Sequence, residues 1–170
     1  MATTTQSSVA QSGMLIRRPV AEVFNAFIDP AVTTHFWFTK STGKLEKGKE
    51  VIWTWEMYNV ASAVQTVDII PNKKIEIRWF EHFETNTGDK GARDAATRVV
   101  WTFTPYGNDQ TFVEIVNDGF SGDAASVQQQ ALDSTGGFCW VLAGLKAYLE
   151  HQLELNLVGD RFPTGKPGQN

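Results

Sequence analysis

The stretch from Gly136 to Leu153 constrains this chain more than any other. Phe138, Val141, Leu142, Leu145, Tyr148, Leu149 and Leu153 recur at spacings of three and four, while Lys146, Glu150 and Glu154 recur every four residues on a different face. That pattern predicts a long amphipathic helix, because about 3.6 residues per turn bring those positions to one side. Asp133, Ser134 or Thr135 can cap its first N–H groups, and Asn156, Gly159 and Pro163 supply stop signals after it. So wide an apolar stripe has to be covered by another layer. The upstream chain reads as the sheet that covers it.

Val9 to Arg18 forms a first strand, ending at Pro19, whose missing N–H costs nothing at the start of a helix. Val20, Val23, Phe24, Phe27 and Ile28 make a short helical stripe closed by Asp29-Pro30, and a second short helix is expected over 32–37. The period then drops to about two. In 50–58, Val51, Trp53, Trp55 and Met57 alternate with Thr54 and Glu56; 61–70 is β-prone up to the turn Pro71-Asn72. In 74–82, Ile75, Ile77 and Trp79 face inward and Glu76, Arg78 and His82 outward. Asn86, Gly88, Asp89, Gly91 and Asp94 make 83–96 a turn-rich loop, of a length found in lids or mobile segments. Strands resume over 97–105, with Val99, Trp101 and Phe103 inward, and over 110–117, with Val113 and Ile115 inward. Asp123 can cap a short helix running through Leu132. Strands in series before the main helix predict an α+β fold with an antiparallel sheet. Residues 1–8 are expected as a disordered tail, 9–158 as a single domain and 159–170 as a flexible tail.

A net charge of −4 argues against a nucleic-acid partner, which needs a basic face. Lys40, Lys44, Lys47 and Lys49 come nearest to one, but they flank Gly43 and Gly48 and read as a solvated hairpin. No apolar run approaches the ~20 residues of a membrane span, and the N-terminus has no signal-peptide pattern. A single cysteine, Cys139, forms no internal disulfide. A soluble, cytoplasmic protein is expected. His35, His82 and His151 lack ligand spacing, so neither a metal nor a cofactor is expected, and Cys139 is expected buried on its helix.

The motif Arg18-Pro19-x-x-Glu22-Val23-Phe24-x-x-Phe27-x-Asp29-Pro30, followed by Phe36-Trp37, resembles the opening of the START-like superfamily, also called SRPBCC or Bet v1-like. Within it the chain most resembles the AHSA1-like branch, named after the activator of Hsp90 ATPase homologue. Thr111, Val113, Ile115 and Asn117-Asp118-Gly119-Phe120 are similar to that branch, as are Gly137, Trp140, Leu145 and Tyr148-Leu149-Glu150. The resemblance implies a helix-grip: a curved antiparallel sheet wrapped around the long C-terminal helix, with two short helices after strand 1. It leaves open whether 124–134 is a separate short helix or extends the long one. It does not carry over Hsp90 activation, because no counterpart of the additional N-terminal domain of the eukaryotic co-chaperone is expected in this sequence; Hsp90 and a homodimer stay open as partners.

Six Trp and eleven Phe are a heavy aromatic load. They fit either a bulky core or the apolar wall of a ligand cavity between sheet and helix. Candidate wall residues are Trp53, Trp55, Trp79, Trp101, Phe103, Phe138 and Trp140, with Gln65 and Asn117 as polar anchors sharing parity with inward neighbours. A buried amide needs a partner, in the protein, in water or in a ligand. Gly136, Gly137 and Gly144 weaken a helix and so permit either close packing or room for a ligand. No nucleophile elbow, phosphate loop or dinucleotide fingerprint is present, and no catalytic residue is assigned. The leading expectation is a binder of a small, mostly apolar or amphipathic molecule. The alternatives are an enzyme in the manner of the polyketide cyclases and a co-chaperone-like interaction module. The cavity discriminates: a solid core favours the module, and a perturbed carboxylate or histidine inside a cavity favours the enzyme.

Overall fold

Alternating apolar residues set both the strands and the direction they face. In the computed structural model, which describes residues 8–85 and 95–165, β1 (Ala10–Ile16) pairs with β8 (Gln110–Asp118), Ala10 opposite Asn117 and Ile16 opposite Thr111. Between them in sequence come β2 (Lys40–Ser41), β3 (Glu50–Trp55), β4 (Val60–Ile70), β5 (Lys74–Trp79), β6 (Phe83–Glu84) and β7 (Thr97–Tyr106). The strands form one curved antiparallel sheet in the order β1-β8-β7-β5-β4-β3-β2, with β6 beside β4. Thr111, Val113, Ile115 and Asn117 of β8 are all buried, as are Val99, Trp101 and Phe103 of β7. They share the concave face. The turn-rich segment expected over 83–96 begins with β6; its residues 86–94 lie outside the described residues.

Two short helices follow β1. Pro19 precedes α1 (Val20–Ile28), whose Val23, Ala26 and Phe27 are buried. The second, α2, spans Pro30–Thr33 rather than 32–37. The Asp29 carboxylate caps it by accepting from the Ala31 N–H at 3.0 Å, and Pro30 fits the first helical position, so the helix starts there.

The helix laid across the sheet is longer than the apolar stripe alone suggests. Ala124–His151 is one continuous helix, α3, capped by Asp123, whose carboxylate accepts from the Ser126 N–H at 2.8 Å. The expected short helix through Leu132 is therefore its first part, and Asp133, Ser134 and Thr135 are interior residues rather than caps. α3 ends at His151 because Gln152 takes a left-handed conformation (φ 58°). Leu153, expected on the buried stripe, falls beyond this cap and is exposed. Phe138, Val141, Leu142, Leu145 and Leu149 form the buried face. Cys139 sits one position off it and is exposed, not buried as expected; its Sγ lies 3.6 Å from the Ser12 hydroxyl.

Other departures have local causes. β3 stops at Trp55 and a 3-10 turn over Glu56–Tyr58 follows, which turns Met57 outward. In β4 the buried residues include Ser62, Val64 and Thr66, facing Trp53, Val51 and Ile77 or Trp79 on neighbouring strands. Gln65 instead pairs with Glu50 and Arg78, on the opposite face. Gly144 explains how closely α3 approaches the segment after α2. A Cβ there would stand 3.3 Å from both the Cβ and the carbonyl oxygen of Phe36. Each lysine of the basic run has an acidic partner: Lys40–Glu56, Lys44–Asp29, Lys47–Asp68 and Lys49–Glu46. The run therefore presents no unneutralised patch.

Candidate functional site

Rings from both layers leave space between them. A cavity of about 590 Å³ lies between α3 and the concave face, walled by Trp37, Trp55, Trp79 and Phe138. Trp55 and Trp79 stack at 6.1 Å, and Trp37 meets Trp79 edge-on at 5.7 Å and Phe138 at 5.8 Å. This volume is in the range of small-molecule sites, which span ~300–1,000 Å³.

Polar groups ring the apolar wall. Asn117 is buried and satisfied at both ends: Nδ2 donates to the Arg98 carbonyl at 2.9 Å, and Oδ1 accepts from the Ser134 hydroxyl at 2.8 Å. The protein therefore supplies the partners this amide needs. His82 was expected to point to solvent along a continued strand, but β5 ends at Trp79. The residue is exposed, as expected, and its imidazole also borders the cavity, edge-on to Trp55 at 5.4 Å and to Trp79 at 5.9 Å. Its surface is open to solvent on one side, and the rings and backbone packed against the other desolvate it and push its pKa below the ordinary 6.5.

The C-terminal segment closes one end. After α3 the chain turns back through α4 (Leu157–Asp160), and Val158, Arg161 and Phe162 join the cavity wall. Tyr58 holds this segment: its hydroxyl donates to the carbonyls of Val158 and Gly159, and its ring meets Phe162 edge-on at 5.9 Å. Burial raises the phenol's pKa above the usual 10, which keeps the proton on the donor. Arg161 lies over Gly136 and Gly137, where a Cβ would stand 3.2 Å and 3.1 Å from its guanidinium nitrogens. Glycines inside a helix cost about 1 kcal/mol each relative to alanine. Here they admit Arg161, whereas Gly144 admits Phe36.

The profile of the family described as "Activator of Hsp90 ATPase homolog 1-like protein" matches residues 17–150. The chain belongs to that family. Its fold is that of the AHSA1-like branch of the SRPBCC superfamily, as the sequence motifs imply. Protein SSP2350 from Staphylococcus saprophyticus is 25% identical over 86% of this chain and 95% of its own, with a TM-score of 0.68. The Aha1 dimer from Colwellia psychrerythraea is 14% identical, covering 84% of this chain and 96% of its own, at 0.65. DynU16, a protein from the dynemicin biosynthetic locus, is 16% identical over 86% of this chain at 0.70, and the match spans 49% of its length. The last two likenesses concern the fold. No curated protein matches the chain in sequence.

In this AHSA1-like chain, Trp55, Trp79, Asn117, Phe138 and Trp140 of the expected wall border the cavity. Trp140 does so at the mouth, 45% exposed. Trp53, Trp101 and Phe103 are fully packed in the core behind that surface, and Gln65 faces the other side of the sheet. Trp37, Tyr58, His82, Val158, Arg161 and Phe162 border the cavity without having been expected to. The Phe36-Trp37 pair was a usable signal for the first. Aromatic Phe162 in an otherwise polar tail was the one sequence hint for the last group. Among the described residues, no three His, Cys, Asp or Glu side chains converge as a metal site requires, and no helix is long and apolar enough to cross a membrane.

Proposed function

We propose that this protein binds a small, mostly apolar molecule in the cavity between the concave sheet face and α3. The observation that carries the reading is the space itself: about 590 Å³ bounded by Trp37, Trp55, Trp79 and Phe138. Burying an apolar ligand against these rings gains roughly 25 cal/mol for each Å² removed from water. An unfilled volume of this size also weighs against a module that acts only through its surface. Trp55, Trp79, Phe138 and Trp140 are the proposed ligand contacts among the residues singled out by sequence, and Asn117, its amide held by Arg98 and Ser134, is proposed to border the ligand without a hydrogen bond to it. Native mass spectrometry of freshly purified protein tests the reading. The expected spectrum carries a small-molecule adduct that is released on denaturation. A bare chain in every preparation, together with no uptake of added apolar probes, would contradict it.

A second reading follows from His82. A neutral imidazole beside an apolar cavity can accept a proton from a bound substrate, as a cyclase-like enzyme would require. Turnover that falls at least 100-fold in His82→Gln while ligand affinity holds would favour it; binding without any chemical change of the ligand would exclude it. Self-association is proposed from the likeness to the Colwellia psychrerythraea dimer. Light scattering on the purified chain decides between one copy and two.

A further inference from the structure

Several polar side chains on the cavity wall are engaged by the protein itself, whereas the buried indole N–H of Trp79 finds no hydrogen-bond acceptor among the described residues. Asn117 uses both ends of its amide, Ser134 gives its proton to Asn117, and Tyr58 gives its own to the carbonyls of Val158 and Gly159. Arg161 differs. It is half-buried, and it is the one Lys or Arg side chain among the described wall residues. Its contacts are a cation–π approach to Phe162, with Cζ 5.0 Å from the ring centroid, and the seat on Gly136 and Gly137. Among the described residues no carboxylate lies within salt-bridge distance of it, and no hydrogen bond takes up its N–H groups. The acids of the wall, Glu81 and Asp133, are exposed, and Asp133 accepts from the Gln129 amide at 2.9 Å.

The glycine pair sharpens the point. Two successive glycines weaken the middle of a helix. A side chain at either would press on the guanidinium, at 3.2 Å from Nη2 for Gly136 and 3.1 Å from Nη1 for Gly137. The notch thus lays a planar fork of N–H donors along the wall of an apolar space. That fork matches an oxyanion, which accepts two parallel charge-assisted hydrogen bonds from it.

We propose that Arg161 is the anion anchor of the cavity, so that its ligand is an amphipathic organic acid with an apolar body against the rings and an anionic head on the guanidinium. This rests on the ligand-binding reading above and names the class of ligand.

A matched pair of fluorescent probes tests it. 8-Anilinonaphthalene-1-sulfonate and N-phenyl-1-naphthylamine share their rings and differ by the sulfonate. The wild-type protein is expected to bind both at one mutually competitive site, the sulfonate about tenfold more tightly, since a charge-assisted pair at a half-buried site supplies about that much. Arg161→Gln should reduce the preference to less than twofold with the affinity for the neutral probe unchanged. Arg161→Lys should keep part of it. Gly137→Ala, which keeps the charge but presses a methyl on the guanidinium from 3.1 Å, should also lower the preference, and it carries the test if Arg161→Gln fails to fold. Equal wild-type affinities, probes that do not compete, or a preference that survives both Arg161→Gln and Gly137→Ala would overturn the anchor while leaving apolar binding standing. Failure of the wild type to bind either probe would overturn the cavity reading itself.

Discussion

Ser134 on α3 donates its hydroxyl proton across 2.8 Å to Asn117 on β8, and the same amide donates onward to the Arg98 carbonyl of β7 at 2.9 Å. This bridge fixes the helix to the sheet beside the cavity with no buried polar atom of Asn117 left over. Removing Asn117 leaves a carbonyl and a hydroxyl without it, so Asn117→Ala is expected to cost about 1–3 kcal/mol and Ser134→Ala about 1 kcal/mol. Because the two act on one bond, the double variant should cost less than the sum by about 1 kcal/mol. Urea denaturation of the four proteins gives the cycle.

His82 is expected to make stability depend on pH above the range where carboxylates titrate. Desolvation lowers its folded pKa below the 6.5 of the unfolded chain. Between those two values the unfolded state binds more protons, so stability rises with pH through that window. The contribution is complete above 6.5 and is lost as pH falls through the folded value. Asp29 and Glu76, whose pKa values lie below 3.8 and 4.5, act only at lower pH. Urea midpoints should therefore fall on acidification from pH 7, and His82→Gln should flatten that slope. An unchanged slope in the variant would assign it elsewhere.

The glycines of α3 should respond differently to alanine. At Gly137 the new methyl meets only the end of the Arg161 side chain, which can move, so a helix-propensity gain of up to about 1 kcal/mol should survive in part. At Gly144 it meets the backbone carbonyl and Cβ of Phe36, which cannot, and a loss of about 1–3 kcal/mol is expected. Thermal denaturation of the two variants separates them by sign.

Lys146 holds the nearly buried Glu150, whose side chain is 8% exposed, at 2.6 Å, and its ammonium also donates to the Leu15 carbonyl at 2.9 Å. Lys146→Met would leave that carboxylate with only the Arg17 N–H at 3.3 Å. A loss of about 1–3 kcal/mol is expected, because the pair is only partly withdrawn from water. Lys146→Met/Glu150→Leu should recover most of it, as read by chemical denaturation.

How much of this was legible depended on the range of the interactions. The sheet face could be read from Val99, Trp101, Val113 and Ile115, because a period of two is a local property of the backbone. The α3 stripe could be read for the same reason. The register of β4 could not. Val67 and Ile69 look like inward partners of Gln65, but Val64 and Thr66 are the buried pair and a bulge separates Thr66 from Asp68. The cavity wall divided along the same line. Trp55 and Trp79 come from regular strands, whereas His82 reaches the site because β5 stops short, and Arg161 because the chain folds back under Tyr58. Alternation also cannot tell a ring that fills the core, such as Trp53 or Trp101, from one that borders empty space.

The indole N–H resonances of the six tryptophans test the central claim most directly, because the site divides them. Trp37, Trp55, Trp79 and Trp140 border the cavity and Trp53 and Trp101 do not. On titration with N-phenyl-1-naphthylamine, the first four indole signals should shift saturably and together, with Trp53 and Trp101 moving far less. Shifts confined to the exposed Trp140, or no shift at saturating probe, would contradict a ligand-binding cavity in this fold.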